Sequence, residues 1–141
     1  MELELDILII IAYVMINMQA KNIKNIKKSI RVLDEQIGKL TGKLLSFDQL
    51  VRGSVATIKT KCGVKDCRRC SSGEMHPHTR ISWTENGKGY TRKVPADKID
   101  WTESASQKYR KFKAMRRDLK KLELKKKEAV DSLEKLMVLE T

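Results

Sequence analysis

Apolar residues recur at alternating intervals of three and four along this chain, and that spacing restricts the fold more than any other feature. One series runs Ile23, Ile26, Ile30, Leu33, Ile37, Leu40, Leu44, Phe47, and a second runs Phe112, Met115, Leu119, Leu122, Lys126, Ala129, Leu133, Leu136. A helix turns once in about 3.6 residues, so such positions share one side and form the a/d seam of a heptad helix. Traced backwards, the first register meets Gln19, Ile16, Ala12, Ile9 and Leu5, which makes the apolar N-terminal run an earlier part of one long helix. Gly38 and Gly42 each weaken the later part by up to about 1 kcal/mol relative to Ala. Ser46 with Gln49 has capping-box spacing for a short helix ended by Gly53, and Ser104 with Gln107 has it for the second long helix. The two seams can satisfy each other as an antiparallel hairpin or pair with a second copy as a coiled coil; merely core-facing helices are the plainer alternative. Ile at a and Leu at d favours two strands, and Lys126 at an a position helps to fix register.

Between the seams the texture changes to that of a sheet. Ser54 to Lys61 is rich in β-branched residues, His78 to Glu85 alternates, and Asn86-Gly87 supplies the two residues that a tight hairpin turn requires. Lys88 to Val94 forms the return strand and Pro95 ends it. The expected fold class is therefore α+β: two long heptad-patterned helices flanking a small three-stranded antiparallel sheet. Divided by composition, the chain has an apolar leader or helix extension (1–18), a heptad helix (19–46), a metal-binding β module (47–101) and a basic heptad helix (102–141).

The loop joining the first two strands carries the only cysteines, Cys62, Cys67 and Cys70, followed by His76 and His78. An odd, clustered set makes a poor disulfide framework and a good metal site, which points to a cytoplasmic setting. Three thiolates and an imidazole bind zinc tetrahedrally, and Lys65, Arg68 and Arg69 supply a field that favours thiolate. His76 is the expected fourth ligand because it leaves His78 to open the next strand; His78 is the alternative. An iron–sulfur cluster with this C-x4-C-x2-C spacing needs a distant fourth cysteine, which the sequence lacks. A catalytic zinc needs an open position and a base, and near the cysteines only Glu74 and Asp66 are candidates. No triad, phosphate loop, carboxylate pair or cofactor fingerprint is visible, so a non-enzymatic role is expected.

Charge indicates the partner. Thirty Lys+Arg against 18 Asp+Glu leave +12. From Lys108 to Lys127 eleven basic residues face only Asp118 and Glu123, a stripe rather than an even coat. Such a stripe suits a polyanion, with Lys113, Arg116, Arg117, Lys120 and Lys121 on phosphates. Arg68, Arg69, Arg80 and Arg92 are candidates for base edges, because Arg pairs bidentately with guanine. Trp83, Tyr90 and Trp101 could stack on unpaired bases or fill the sheet's own core. The apolar run Ile7 to Ile16 is about ten residues, against the roughly twenty of a membrane span, and acids precede it where a secretory signal carries positive charge. A membrane partner is therefore not expected; translation starting at Met15 or Met18 would make the run a leader.

The segments Leu50 to Ser54 (LVRGS), Lys61 to Cys70 (KCGVKDCRRC), His76 to His78 (HPH) and Asn86 to Pro95 (NGKGYTRKVP), with the Lys-rich helix after them, resemble a family of short prokaryotic proteins. Its pattern is CG-x-x-x-C-R-C…H-G-P…GGK-T…VP, and its members tend to be encoded in or beside mobile elements. The resemblance covers roughly 47–137. Two residues rather than one separate Cys67 from Cys70 here, and His-Pro-His stands in place of His-Gly-Pro. An accessory role near transposition or recombination is what the resemblance implies. The resulting expectation is a nucleic-acid-binding accessory protein with structural zinc, DNA being favoured over RNA. The alternatives are an adaptor that pairs through its helices with itself, a recombinase or a transposase, and a membrane-associated basic protein.

Overall fold

A computed structural model describes residues 2–139. Helix α1 spans Glu2–Leu45, strand β1 Ser54–Thr60, the short helix α2 Arg68–Ser71, strand β2 His76–Glu85, strand β3 Lys88–Lys93, and helix α3 Ile99–Met137 after a 3-10 turn at Ala96–Lys98. The chain divides into two compact units, one formed by α1 with the part of α3 from Met115 onward, the other by residues 46–114. The composition boundary at 18/19 falls inside the uninterrupted α1, and the first part of α3 belongs to the unit that holds the sheet.

In the sheet unit the strands form an antiparallel meander, β1-β2-β3. Asn86 (φ 51°) and Gly87 (φ 78°) both lie in the left-handed region, as a tight right-twisting hairpin turn demands. β1 pairs with β2 so that Val55 faces Ile81, and β2 pairs with β3 so that Ile81 faces Arg92 and Trp83 faces Tyr90. Directly paired residues share a face, which puts Ile81, Trp83, Tyr90 and Arg92 on one side and Arg80 with Lys93 on the other. The core is small: Ile81, Val94 and Ala105 are its buried apolar residues, with Thr79, Thr102 and Ser106 buried beside them. Each buried hydroxyl is matched. Thr79 pairs with Thr57 Oγ1 at 3.0 Å, Thr102 donates to the Lys98 carbonyl at 2.7 Å, and Ser106 donates to the Gly53 carbonyl.

Two sequence expectations are corrected in this unit. Residues 46–53 contain no helix, despite the capping-box spacing of Ser46 and Gln49; Val51 instead donates its N–H to the Ala105 carbonyl at 3.2 Å, fastening an extended segment to α3. Gly53 does not end a helix. It sits at φ 122°, and a Cβ there would meet the Ser82 carbonyl oxygen at 2.7 Å, so glycine is needed for the close approach of β1's leading segment to β2. Helix α3 starts at Ile99 rather than near Ser104, because the 3-10 turn after Pro95 already fixes the first turn and Asp97 and Asp100 suit its N-terminal dipole.

In the helical unit the half-buried residues of α1 beyond Ala20 are Ile23, Ile26, Ile30, Leu33, Ile37, Leu40, Thr41 and Leu44, and those of α3 beyond Ala114 are Met115, Leu119, Leu122, Lys126, Ala129, Leu133 and Leu136. Gln19 Nε2 donates to the Leu136 carbonyl at 2.8 Å, and Lys126 Nζ pairs with Asp34 Oδ1 at 2.5 Å, so the two segments run antiparallel. Lys126 thereby gains a carboxylate partner at the one charged position of its apolar series.

Candidate metal centre and basic surface

β1 and β2 are adjacent and antiparallel, so the end of one and the start of the other bring Cys62 and His76 together at the same rim of the sheet. The intervening loop folds back through Asp66 (φ 64°) and α2, which returns Cys67 and Cys70 to that rim. Neither the left-handed Asp66 nor α2 was legible in the sequence. The donor atoms of Cys62, Cys67, Cys70 and His76 all lie within 4.8 Å of one another, and all four residues are half-buried. Cys62 Sγ is 3.5 Å from Cys70 Sγ, Cys67 Sγ is 3.2 Å from His76 Nε2, and the Cys62 N–H points at Cys70 Sγ at 3.3 Å.

The crowding of these donors divides their affinities for protons. The hydrogen bond with His76 is the main reason that the Cys67 thiol falls to about 6, helped by the Cys70 backbone N–H and the Cys62 side chain. At Cys62 the backbone N–H of Val64 acts downward, but hydrogen bonds with Cys67 and Cys70 and partial burial outweigh it and the thiol rises. A cation held among these donors would take the place of the thiol protons and favour the thiolate form of all three sulfurs. Tetrahedral zinc with three sulfurs and one nitrogen sets donor separations of roughly 3.5–3.8 Å. The cluster can therefore close on one metal ion by side-chain adjustment. His76 joins it as residue 1 of β2, so strand β2 begins at the ligand and not at His78, which pairs with Ile58 further along and lies outside the cluster.

The expected nucleic-acid contacts fall in separate places. Arg68 and Arg69 lie on α2, where Arg69 Nε is 3.9 Å from Glu74 Oε2 with both side chains mostly exposed, a pair of small energetic weight. Arg80 and Arg92 project from opposite faces of the sheet, so one flat surface cannot use both. Lys113 Nζ rests 4.8 Å from the Tyr109 ring centroid. Arg116, Arg117, Lys120 and Lys121 are exposed on α3, and among the described residues none of the four has an ion-pair partner.

The sheet unit also holds features not singled out in the sequence. A polar cleft of about 580 Å³ is lined by Arg52, Arg110 and Lys113 with the Ser54 and Thr84 hydroxyls. Arg52's interaction with the Tyr109 hydroxyl, and then Glu85 at 3.3 Å, raise its already high pKa. A second, mostly apolar cleft of about 390 Å³ lies between Trp83 and Trp101, with Arg92 and Lys98 at its edge. Trp83 stacks on Tyr90 at 5.6 Å and 15°, and Trp101 is 51% exposed, so neither Tyr90 nor Trp101 is consumed by the core. The signal for the polar cleft was the spacing of Arg110 and Lys113 on one helix face, which the sequence shows but cannot aim.

The α+β architecture and the Cys3His cluster together define a small protein able to hold a metal ion. No family model, no curated protein and no solved structure matches the chain.

Proposed function

We propose that the protein is a non-enzymatic nucleic-acid-binding accessory factor, DNA being its favoured partner, in which zinc held by Cys62, Cys67, Cys70 and His76 stiffens the sheet and the basic face of α3 tracks phosphates. The observation that carries this reading is the exposed set Arg116, Arg117, Lys120 and Lys121, four cations without acidic partners among the described residues on one helix whose apolar side is half-buried. Like charges at this spacing repel by a few tenths of a kcal/mol per pair, and a polyanion relieves that repulsion. The polar cleft lined by Arg52, Arg110 and Lys113 adds a second group of cations, and the exposed indole of Trp101 suits an unpaired base. Zinc is the metal of choice because three thiolates and an imidazole suit a borderline-soft ion and the set has no carboxylate. The likeness to short mobile-element proteins supports a place beside transposition or recombination.

Changing Arg116, Arg117, Lys120 and Lys121 together to Gln should weaken binding to every duplex sequence and flatten the dependence of log K on log salt by about one unit for each phosphate that is no longer neutralised. Titration of wild type and variant against one duplex at several salt concentrations checks this. The fold should persist, because none of the four is among the half-buried residues. Wild-type affinity and slope in the variant would transfer the lead to a second reading, an adaptor pairing through its helices with itself, a recombinase or a transposase. The half-buried apolar series of α1 and α3 support that reading.

A further inference from the structure

Every residue from Leu3 to Ala20 on α1 is exposed, among them Leu5, Ile7, Leu8, Ile9, Ile10, Ile11, Val14 and Ile16. Contact with α3 begins at Gln19, which bonds the carbonyl of Leu136, one residue before that helix ends. The preceding residues of α1 therefore extend past the end of their neighbour by about 25 Å at roughly 1.5 Å per residue. An apolar surface of this extent does not stay in water. α1 is also the one helix among the described residues that is long and apolar enough to cross a bilayer.

We infer that residues Leu3–Ala20 insert end-on into a lipid bilayer, leaving Lys21, Lys24, Lys27, Lys28 and Arg31 at the anionic headgroups of the side from which the helix enters. Three observations select lipid over other cover. First, consecutive residues Ile7 to Ile16 are apolar apart from the Tyr13 hydroxyl, so the apolar surface runs all the way around the helix. A partner helix covers a stripe and an interfacial helix keeps a polar face, whereas only lipid surrounds a helix on every side. Second, the length allows it: the 18 residues from Leu3 to Ala20 give about 27 Å with Glu4 and Asp6 close to the leading end, and the uncharged part from Ile7 to Ala20 gives about 21 Å, so against a hydrocarbon core of about 30 Å the acids and the lysines are drawn to the two interfaces and the bilayer thins locally. Third, the charge is one-sided. Glu2, Glu4 and Asp6 lead, and five exposed cations follow within eleven residues of Ala20, the asymmetry that holds the basic flank on the cytoplasmic side. Backbone groups need no outside partner, because the helical ladder satisfies them. The ten-residue run that looks too short in the sequence is thus the centre of a longer exposed helix, and the acids that argue against a secretory signal mark its leading end.

The test is flotation of the full chain with phosphatidylcholine vesicles, with and without phosphatidylglycerol, followed by washes in high salt and in alkaline carbonate. The chain should float with both vesicle types, more strongly with the anionic one, and survive both washes. Ile10→Asp combined with Val14→Asp should lower partitioning by about a hundredfold or more. Both positions are exposed, so helix content, metal content and nucleic-acid binding should be unchanged in that variant. The inference is overturned if the wild type stays soluble, if high salt strips it from the vesicles, or if it forms a defined oligomer without lipid that the double variant returns to monomer. None of these outcomes touches the nucleic-acid reading, which the α3 variant tests separately.

Discussion

The two units of this molecule achieve order by different means. Every fully buried residue among those described, Thr79, Ile81, Val94, Thr102, Ala105 and Ser106, lies in the sheet unit, although that unit is barely half the chain. In the helical unit the best-covered side chains are only half-buried, on one side of each helix. A small sheet with three buried apolar residues has little core of its own, and a metal ion held by the Cys3His cluster at its rim would add what that core lacks. The helices spread their contacts along a seam and depend on no single point. Failure in the first should therefore be abrupt and local; in the second it should be graded.

Removing the metal should separate them most. Chelation, or Cys67→Ser, should unfold the sheet unit while sparing most of the helical signal, because structural zinc contributes apparent binding free energies of up to about 10–16 kcal/mol to its own module. Both tryptophans, Trp83 and Trp101, lie in the sheet unit, so their fluorescence reports that unit while far-UV dichroism reports the helices. Elemental analysis should give about one zinc per chain. A metal-free chain with native fluorescence would remove the contrast altogether.

A smaller and purely steric blow to the same unit is Gly53→Ala. It places a methyl group 2.7 Å from the Ser82 carbonyl oxygen at a φ that L-residues avoid, and should cost about 2–3 kcal/mol, read as a lower denaturation midpoint by fluorescence. In the helical unit, Ile30→Asp should cost only about 1–2 kcal/mol, since the site is half-buried and the carboxylate keeps partial access to water. Thermal melting with mass measurement decides it. A destabilisation larger than that of Gly53→Ala, together with a change in mass, would show that a second copy completes the seam; no change at all would show that the seam is not packed in solution.

What the sequence disclosed follows the range over which each signal acts. The helices were legible because their apolar series repeat for many turns, and the β2–β3 hairpin because Asn86-Gly87 satisfies a backbone condition that few dipeptides meet. His76, the expected fourth ligand, does lie beside the three cysteines, but for a reason the sequence did not show: the sequence had β2 begin after it, whereas His76 and Pro77 already pair with Thr60 and Lys59. Four-residue patterns misled at both capping boxes, since Ser46-x-x-Gln49 and Ser104-x-x-Gln107 say nothing about the carbonyl of Ala105 or the turn after Pro95 that decide those segments. The opposite facing of Arg80 and Arg92 needed the strand register, which only the assembled hairpin fixes. The reach of Arg52 to Tyr109 likewise lies beyond any local pattern.

Phe47 and Phe112 meet edge to face with ring centroids 5.7 Å apart, and this pairing bears on the order in which the chain folds. The links that close the helical unit join residues 92 and 117 positions apart, so forming them from an open chain means closing a very long loop. The sheet unit needs no such search, for its strands pair in sequence order and its ligands fall within a short stretch of chain. Once it has folded, the contact of Phe47 with Phe112 joins two distant points of the chain, which shortens the loop that the later contacts must close. The sequence-local sheet unit is therefore expected to form before the helical pair, and if a metal ion at the Cys3His cluster is what completes it, late metal delivery should appear as slow helix pairing rather than as slow helix formation.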